Sequence, residues 1–303
     1  MAQLSETISP LTGPLRAAVI CFFVFQLMGL VFAILALVAG VFSTSSRRAS
    51  WWNFILSWAV FAFSYTLLLF EGHAFEGTPS RSICMLQSSL TYGAPPFSSA
   101  CALNLVLESL IAPYVIFITV ILISLGVALT DPDVKFTVVA YCSLENHVPG
   151  RITAGLVVIL IIAVLFFNAN FYIAFRRHPS FCYQGFYRSA LLRISGFSLF
   201  SLFAIIIGLF FFLLAFIGKH NSVKGLMELN VILSLMPVAG TMIFGSHKDL
   251  LEALMFWKRK ELLNANVQDI PMVDMTPHIS VCKNTEKPLP PIPQELDLDS
   301  EFD

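Results

Sequence analysis

The sequence predicts an all-α polytopic membrane protein: a seven-transmembrane helix bundle with a short membrane-lying helix after the seventh span. Three observations predict it. Hydrophobic residues make up 57% of the 303 and charged residues 12%, against about 25% charged in a soluble domain. Mean hydropathy is +0.79. The apolar residues fall in long runs separated by short polar segments, the pattern of successive bilayer crossings. The first run starts near Leu15 with no basic leader and outruns a signal-peptide core, so no cleavable signal peptide is read here.

Residues 1–14 are polar, carry two prolines and read as an N-terminal arm. Ala17 to Phe42 is uncharged and long enough for a tilted spanning helix. A loop with Arg47 and Arg48 follows, then Trp51 and Trp52, whose amphipathic rings favour the interface. The second span runs to about Phe70, with Asn53, Ser64 and Tyr65 able to point into a bundle. The third span, from about Ile83 to Leu107, is the most polar crossing. Lipid cannot hydrogen-bond its serines, threonine, glutamine and asparagine, whereas neighbouring helices can. It therefore reads as the central helix. Pro95-Pro96 are expected to kink or locally unwind it.

Glu108-Ser109 lead almost directly into a fourth span, about Leu110 to Thr130. Asp131 to Arg151 reads as a longer polar loop holding Cys142. The fifth span is about Ile152 to Phe175, the sixth about Ile194 to Ile217 and the seventh about Leu226 to Gly245. Ser246 to Trp257 has apolar positions at helical spacing but is too short and charged to span, so it reads as a helix along the membrane. The bundle and this helix occupy residues 15–262. Residues 263–303 read as a disordered tail whose Pro288–Pro293 segment matches the extended PxxP ligand of an SH3-type domain.

Seven spans place the termini on opposite sides, and basic residues orient them. One side collects Arg47, Arg48, Arg176, Arg177, Arg188, Arg193, Lys248, Lys258, Arg259 and Lys260. The other holds Arg16, Arg81, Lys135, Arg151, Lys219 and Lys224, which makes ten against six before the distal tail. The expectation is an integral plasma-membrane protein with an extracellular N-terminus and a cytoplasmic C-terminus.

That orientation puts Cys84 and Cys142 together on the oxidising face, where a disulfide persists. Closing so long a loop would stabilise the fold by about 3–5 kcal/mol on chain-entropy grounds. Gln87, Thr91 and Tyr92 lie about a turn apart on the outer half of the central helix and are candidates for ligand contact, although packing alone accounts for them as well. Glu228, near the outer end of the seventh span, either lines the same cavity or reaches water. Glu108 has two open readings: a switch contact to Arg176, Arg177 or Arg193, or an interfacial carboxylate. Arg188 and Lys248 complete the basic inner face. Asn104, Asn168, Asn170 and Asn230 read as interhelical glue.

Several chemistries are set aside. All six histidines fall in loops or tails, and the six cysteines follow no metal-site spacing, so no metal site is expected. No GxSxG or P-loop occurs, no lysine sits mid-span in the seventh helix, and neither an enzyme, a cofactor nor a nucleic-acid partner is expected.

Two stretches carry a resemblance: Cys84-Met85-Leu86-Gln87-Ser88-Ser89-Leu90-Thr91-Tyr92-Gly93-Ala94-Pro95, and Leu235-Met236-Pro237-Val238-Ala239-Gly240-Thr241-Met242-Ile243-Phe244-Gly245 running on to Asp249. With seven spans and the outer cysteine pair, the chain resembles G protein-coupled receptors. It is most similar to fungal, particularly basidiomycete, receptor-like proteins related to the cAMP-receptor and glucose-sensing groups. The resemblance implies a receptor for an extracellular ligand that signals to a heterotrimeric G protein. The rhodopsin-like acidic-Arg-Tyr triplet is missing, with Glu108-Ser109-Leu110 in its place, and no Asn-Pro-x-x-Tyr occurs. The activation mechanism of that branch is therefore not carried over. Two alternatives stand beside it: a seven-span transporter or sensor without G-protein coupling, and a structural membrane protein whose tail recruits an SH3-type partner.

Truncation after about residue 265 is expected to leave the bundle intact. Thermal unfolding of the full and truncated chains in the same nanodiscs checks this, and a large loss of stability would place the tail against the bundle.

Overall fold

The computed structural model describes residues 13–43, 47–75, 79–107, 109–130, 135–177, 196, 199–207, 209–210, 213 and 223–245, with the backbone alone at 106, 171, 174–177, 223–226 and 228. The chain divides into two units, Met1–Phe256 and Trp257–Asp303, and every described residue lies in the first. Glu108, Arg188, Arg193, Lys248, the segment after Gly245 and the Pro288–Pro293 motif lie outside the described residues.

The elements in order are α1 (Gly13–Phe42), α2 (Ala49–Phe70), α3 (Arg81–Leu107), α4 (Ala112–Thr130), β1 (Phe136–Val138), β2 (Cys142–Leu144) and α5 (His147–Arg177). Residues 199–207 are helical and are called α6; α7 is Val223–Gly245. Four stretches are long and apolar enough to cross a membrane: Gly13–Phe42, Ala49–Phe70, Ala112–Thr130 and His147–Asn170. A shorter apolar stretch, Leu229–Gly245, lies in α7.

Helix starts follow local chemistry. α1 begins at Gly13 rather than near Ala17, because Pro14 is tolerated in a first turn whose N–H groups have no intrahelical partner. α5 begins at His147 rather than near Ile152. There the Asn146 Oδ1 accepts the Val148 N–H at 2.9 Å, a cap that starts the helix inside the expected loop. Part of that loop is also a strand pair: β1 and β2 are antiparallel, with Phe136 opposite Leu144 and Val138 opposite Cys142.

Local unwinding at the prolines of the central helix does not occur: α3 runs helically through Pro95 and Pro96. A proline at position i removes the N–H that would bond the carbonyl at i−4, so this pair strips the carbonyls of Thr91 and Tyr92. Neighbours supply the missing donors. The Thr153 hydroxyl on α5 donates to the Tyr92 carbonyl at 2.9 Å. The Tyr65 hydroxyl on α2 donates to the Thr91 carbonyl at 3.5 Å. With both carbonyls met, the helix need not unwind.

α3 is also central in position. It packs against α2, α4 and α5 and carries β2 near its N-terminal end, while α1 lies along α7 and α2. Its Gln87, Ser88, Ser98 and Asn104 are buried. By contrast, α4 turns Val115, Ile118, Leu122 and Leu129 outward, and α5 does the same with Ile159, Ile162 and Phe166. Those faces suit lipid and would be costly in water. α1 and α7 meet closely: a Cβ on Gly29 would lie 2.6 Å from the Pro237 Cβ and 3.2 Å from the Val238 nitrogen. Only a residue without a side chain permits that approach.

Gly29→Val is accordingly expected to cost about 1–3 kcal/mol through overpacking. Gly126→Ala on α4, where a Cβ would meet nothing within 4 Å, is the neutral control. Paired melting curves in nanodiscs check both, and equal stability of the two variants would mean that α1 and α7 do not meet at Gly29.

Candidate functional site: a roofed interior cavity

Described residues of α2, α3, α5, α6 and α7 line a partly open cavity of about 170 Å³. Aromatic rings form much of its wall, with Trp58, Phe61 and Tyr65 from α2 and Tyr92 from α3. α5 adds Thr153, Ala154 and Val157, α6 adds Ala204 and Ile207, and α7 adds Leu233 and Met236. Trp58 is held by a close contact: a Cβ on Gly240 of α7 would lie 2.6 Å from its ring.

The roof is Tyr141, the residue before β2. Its ring meets Tyr65 edge-on at 4.9 Å and stacks on Phe22 at 6.0 Å. Its hydroxyl donates to the Asn230 Oδ1 on α7 at 3.1 Å. The residue keeps some exposed surface, but burial around the hydroxyl pushes its pKa well above the usual phenol value. Neighbouring Tyr92 pushes the same way, and the bond to Asn230 opposes them. The hydroxyl therefore stays protonated, and a donor, throughout the physiological pH range.

Three ties hold the roof to α3. Cys84 and Cys142 form a disulfide with 5.1 Å between their Cα atoms. The Gln87 Oε1 accepts the Cys142 N–H at 3.0 Å, while its Nε2 donates to the Ser64 carbonyl at 3.3 Å. Gln87 thus clamps the hairpin, α3 and α2 with one amide. The Tyr92 hydroxyl donates to the Leu144 carbonyl at 3.5 Å.

The expected bridge between Cys84 and Cys142 is present. Of the three expected contact residues on α3, Thr91 and Tyr92 line the cavity. Gln87 is fully buried and spends its amide on backbone groups. Glu228 has its backbone in α7, and its side chain lies outside those described; the same holds for Arg176 and Arg177 at the end of α5. Among the asparagines, Asn230 joins the hairpin to α7. Asn170 is not interhelical glue, since its amide donates to the Phe166 carbonyl of its own helix at 2.9 Å. Asn104 is buried with neither amide atom bonded. Tyr141, Trp58 and Thr153 were not singled out from the sequence. Pro95-Pro96 is the signal that points to Thr153, because two stripped carbonyls require hydroxyl donors on adjacent helices.

The class that this fold and site define is a helical membrane protein with a small, roofed interior cavity. Comparison with protein families and with curated proteins finds no match for this chain.

Gln87→Leu is expected to cost about 1–3 kcal/mol, because it leaves the Cys142 N–H buried without a partner and removes the second donor to the Ser64 carbonyl. Melting of the variant in nanodiscs checks this, and an unchanged midpoint would show that the disulfide alone holds the hairpin.

Proposed function

We propose that this chain is a seven-transmembrane receptor that senses an extracellular ligand and signals to a heterotrimeric G protein. In this reading α3, α6 and α7 cross the bilayer together with the four strongly apolar helices. The polar residues of α3 are no obstacle, because other helices surround it. The N-terminus is extracellular, the tail cytoplasmic, and the membrane the plasma membrane. The fungal receptor likeness drawn from Cys84–Pro95 and Leu235–Asp249 belongs to the same proposal.

One observation carries it: a small cavity is lined by five helices and roofed by a hairpin bonded to the central one. An occupant there touches five helices at once, so it can favour one arrangement of the bundle over another. Glu108, Arg176, Arg177, Arg188, Arg193 and Lys248 are the residues we assign to the inner, G protein-facing end. The transporter alternative would draw on Pro95-Pro96 and Pro237 as helix breaks, but α3 and α7 continue past their prolines. An SH3-type partner at Pro288–Pro293 is compatible with the receptor and independent of it.

The test is nucleotide exchange on purified heterotrimeric G proteins by the full chain in nanodiscs. Exchange above that of empty nanodiscs, lowered by Tyr141→Ala or by a filled cavity, is expected. No exchange with any G protein family, basal or after ligand, would overturn the receptor reading.

A further inference from the structure

We propose that the cavity binds a small, uncharged hydrogen-bond donor of one or two rings: an aromatic alcohol, a phenol or an indole-like N–H compound. This rests on the receptor reading only for its biological use; the binding itself follows from the size, charge and hydrogen-bond accounting of the walls.

Size comes first. A volume of about 170 Å³ is close to that of an engineered cavity of roughly 150 Å³ that holds benzene. The aromatic rings of Trp58, Phe61 and Tyr65 suit a flat apolar body.

Charge comes second. None of the described lining residues carries a formal charge. An ion entering there would lose its water without gaining a counter-ion, which disfavours phosphates, carboxylates and protonated amines.

The decisive point is where the wall protons go. A hydroxyl has one proton and two lone pairs. Ser98 donates its proton to the Ala94 carbonyl at 3.1 Å, Ser99 to the Pro95 carbonyl at 2.9 Å and Thr91 to the Ser88 carbonyl at 2.9 Å. Thr153 gives its proton to the Tyr92 carbonyl and Tyr141 to Asn230. Tyr65 and Tyr92 donate to the Thr91 and Leu144 carbonyls, each at 3.5 Å. All seven hydroxyls among the described lining residues are thus engaged as donors and keep only acceptor capacity. Pro237 adds to it, since it lacks the N–H that would bond the carbonyl of Leu233, another lining residue. The indole N–H of Trp58 is buried without a partner, but its Nε1 lies 2.7 Å from where a Cβ on Gly240 would stand, in the α2–α7 contact. A wall that offers acceptors selects an occupant that donates.

The test measures binding to the full chain in nanodiscs by thermal shift and by saturation-transfer NMR, with empty nanodiscs subtracted for partitioning. The probes are matched pairs: indole with 1-methylindole, and 2-phenylethanol with its methyl ether, plus charged 2-phenylethylamine. Each donor should bind at least tenfold more tightly than its methylated twin, and the ammonium probe should not bind. Ala154→Phe, which fills the cavity, should abolish the donor signal. If that variant does not fold, Val157→Phe serves instead. Equal binding of a methylated twin, preference for the ammonium probe, absence of donor binding, or survival of the signal in a folded cavity-filled variant would each overturn the proposal. Nucleotide exchange is read separately. Donor binding without exchange leaves this inference standing and sinks the receptor reading; exchange driven by a ligand with no donor does the reverse.

Discussion

Two adjacent prolines in the middle of a buried helix set the terms for the structure around them. Pro95 and Pro96 remove two backbone donors inside the helix bundle. Each stripped carbonyl, left alone in such surroundings, would cost about 1–3 kcal/mol. A kink toward solvent is no remedy, because α3 has helices on three sides. The carbonyls of Thr91 and Tyr92 are instead met by hydroxyls from α2 and α5. The defect in one helix thereby becomes a pair of hydrogen bonds to two others, and those bonds fix where Tyr65 and Thr153 stand. Both residues line the cavity, so the cavity sits at the level of the prolines.

The N-terminal end of the same helix works by a different rule. The hairpin is too short to fold alone, since two strands of three residues make a marginal unit. It is stable because α3 grips it through a disulfide and through a glutamine that serves backbone groups on both sides. Tyr141 is then fixed by its position one residue before Cys142, and its ring is carried over the cavity without freedom to swing far. Its bond to Asn230 closes a circuit from α3 through the hairpin to α7. α7 in turn is pressed against α1 at Gly29 and against Trp58 at Gly240.

Much of this was legible in the sequence, and the boundary between what was and was not has physical causes. Apolar runs gave the helices, because crossing a bilayer imposes a length and a composition. The polarity of the third run gave its central position, because only a helix among helices can use such residues. Thr91 and Tyr92 were found by their spacing on the outer half of that helix. Gln87 shares that spacing, yet an amide can serve a ligand or the backbone equally, and only the arrival of the hairpin decides. The hairpin itself lacked the longer alternating pattern that announces strands. Tyr141 and Trp58 belong to the cavity through tertiary contact alone. Thr153 was recoverable, had the two missing N–H groups been counted and a donor sought on a neighbouring helix.

The size of the cavity limits how a switch built on it can work. A ligand of one or two rings has on the order of ten heavy atoms, and even the best small ligands gain at most about 1.5 kcal/mol per atom, with larger ones far less. Driving a two-state bundle from 1:99 to 99:1 takes about 5.5 kcal/mol of difference between the two states. A micromolar ligand has about 8 kcal/mol in total, so most of its contacts would have to exist in one state only. Contacts to lone pairs on hydroxyls that are themselves bonded to helix carbonyls fit that demand. A shift of α5 against α3 that lengthens the bond from Thr153 to Tyr92 would also move the acceptor that the proposed ligand would use. The ligand and the helix–helix bond then share one oxygen, and neither can move without the other. If the chain is the receptor proposed, it would need no large energy gap between its states. It would rest near balance, held by a few hydroxyl bonds each worth about 1 kcal/mol, and a small donor would be enough to tip it.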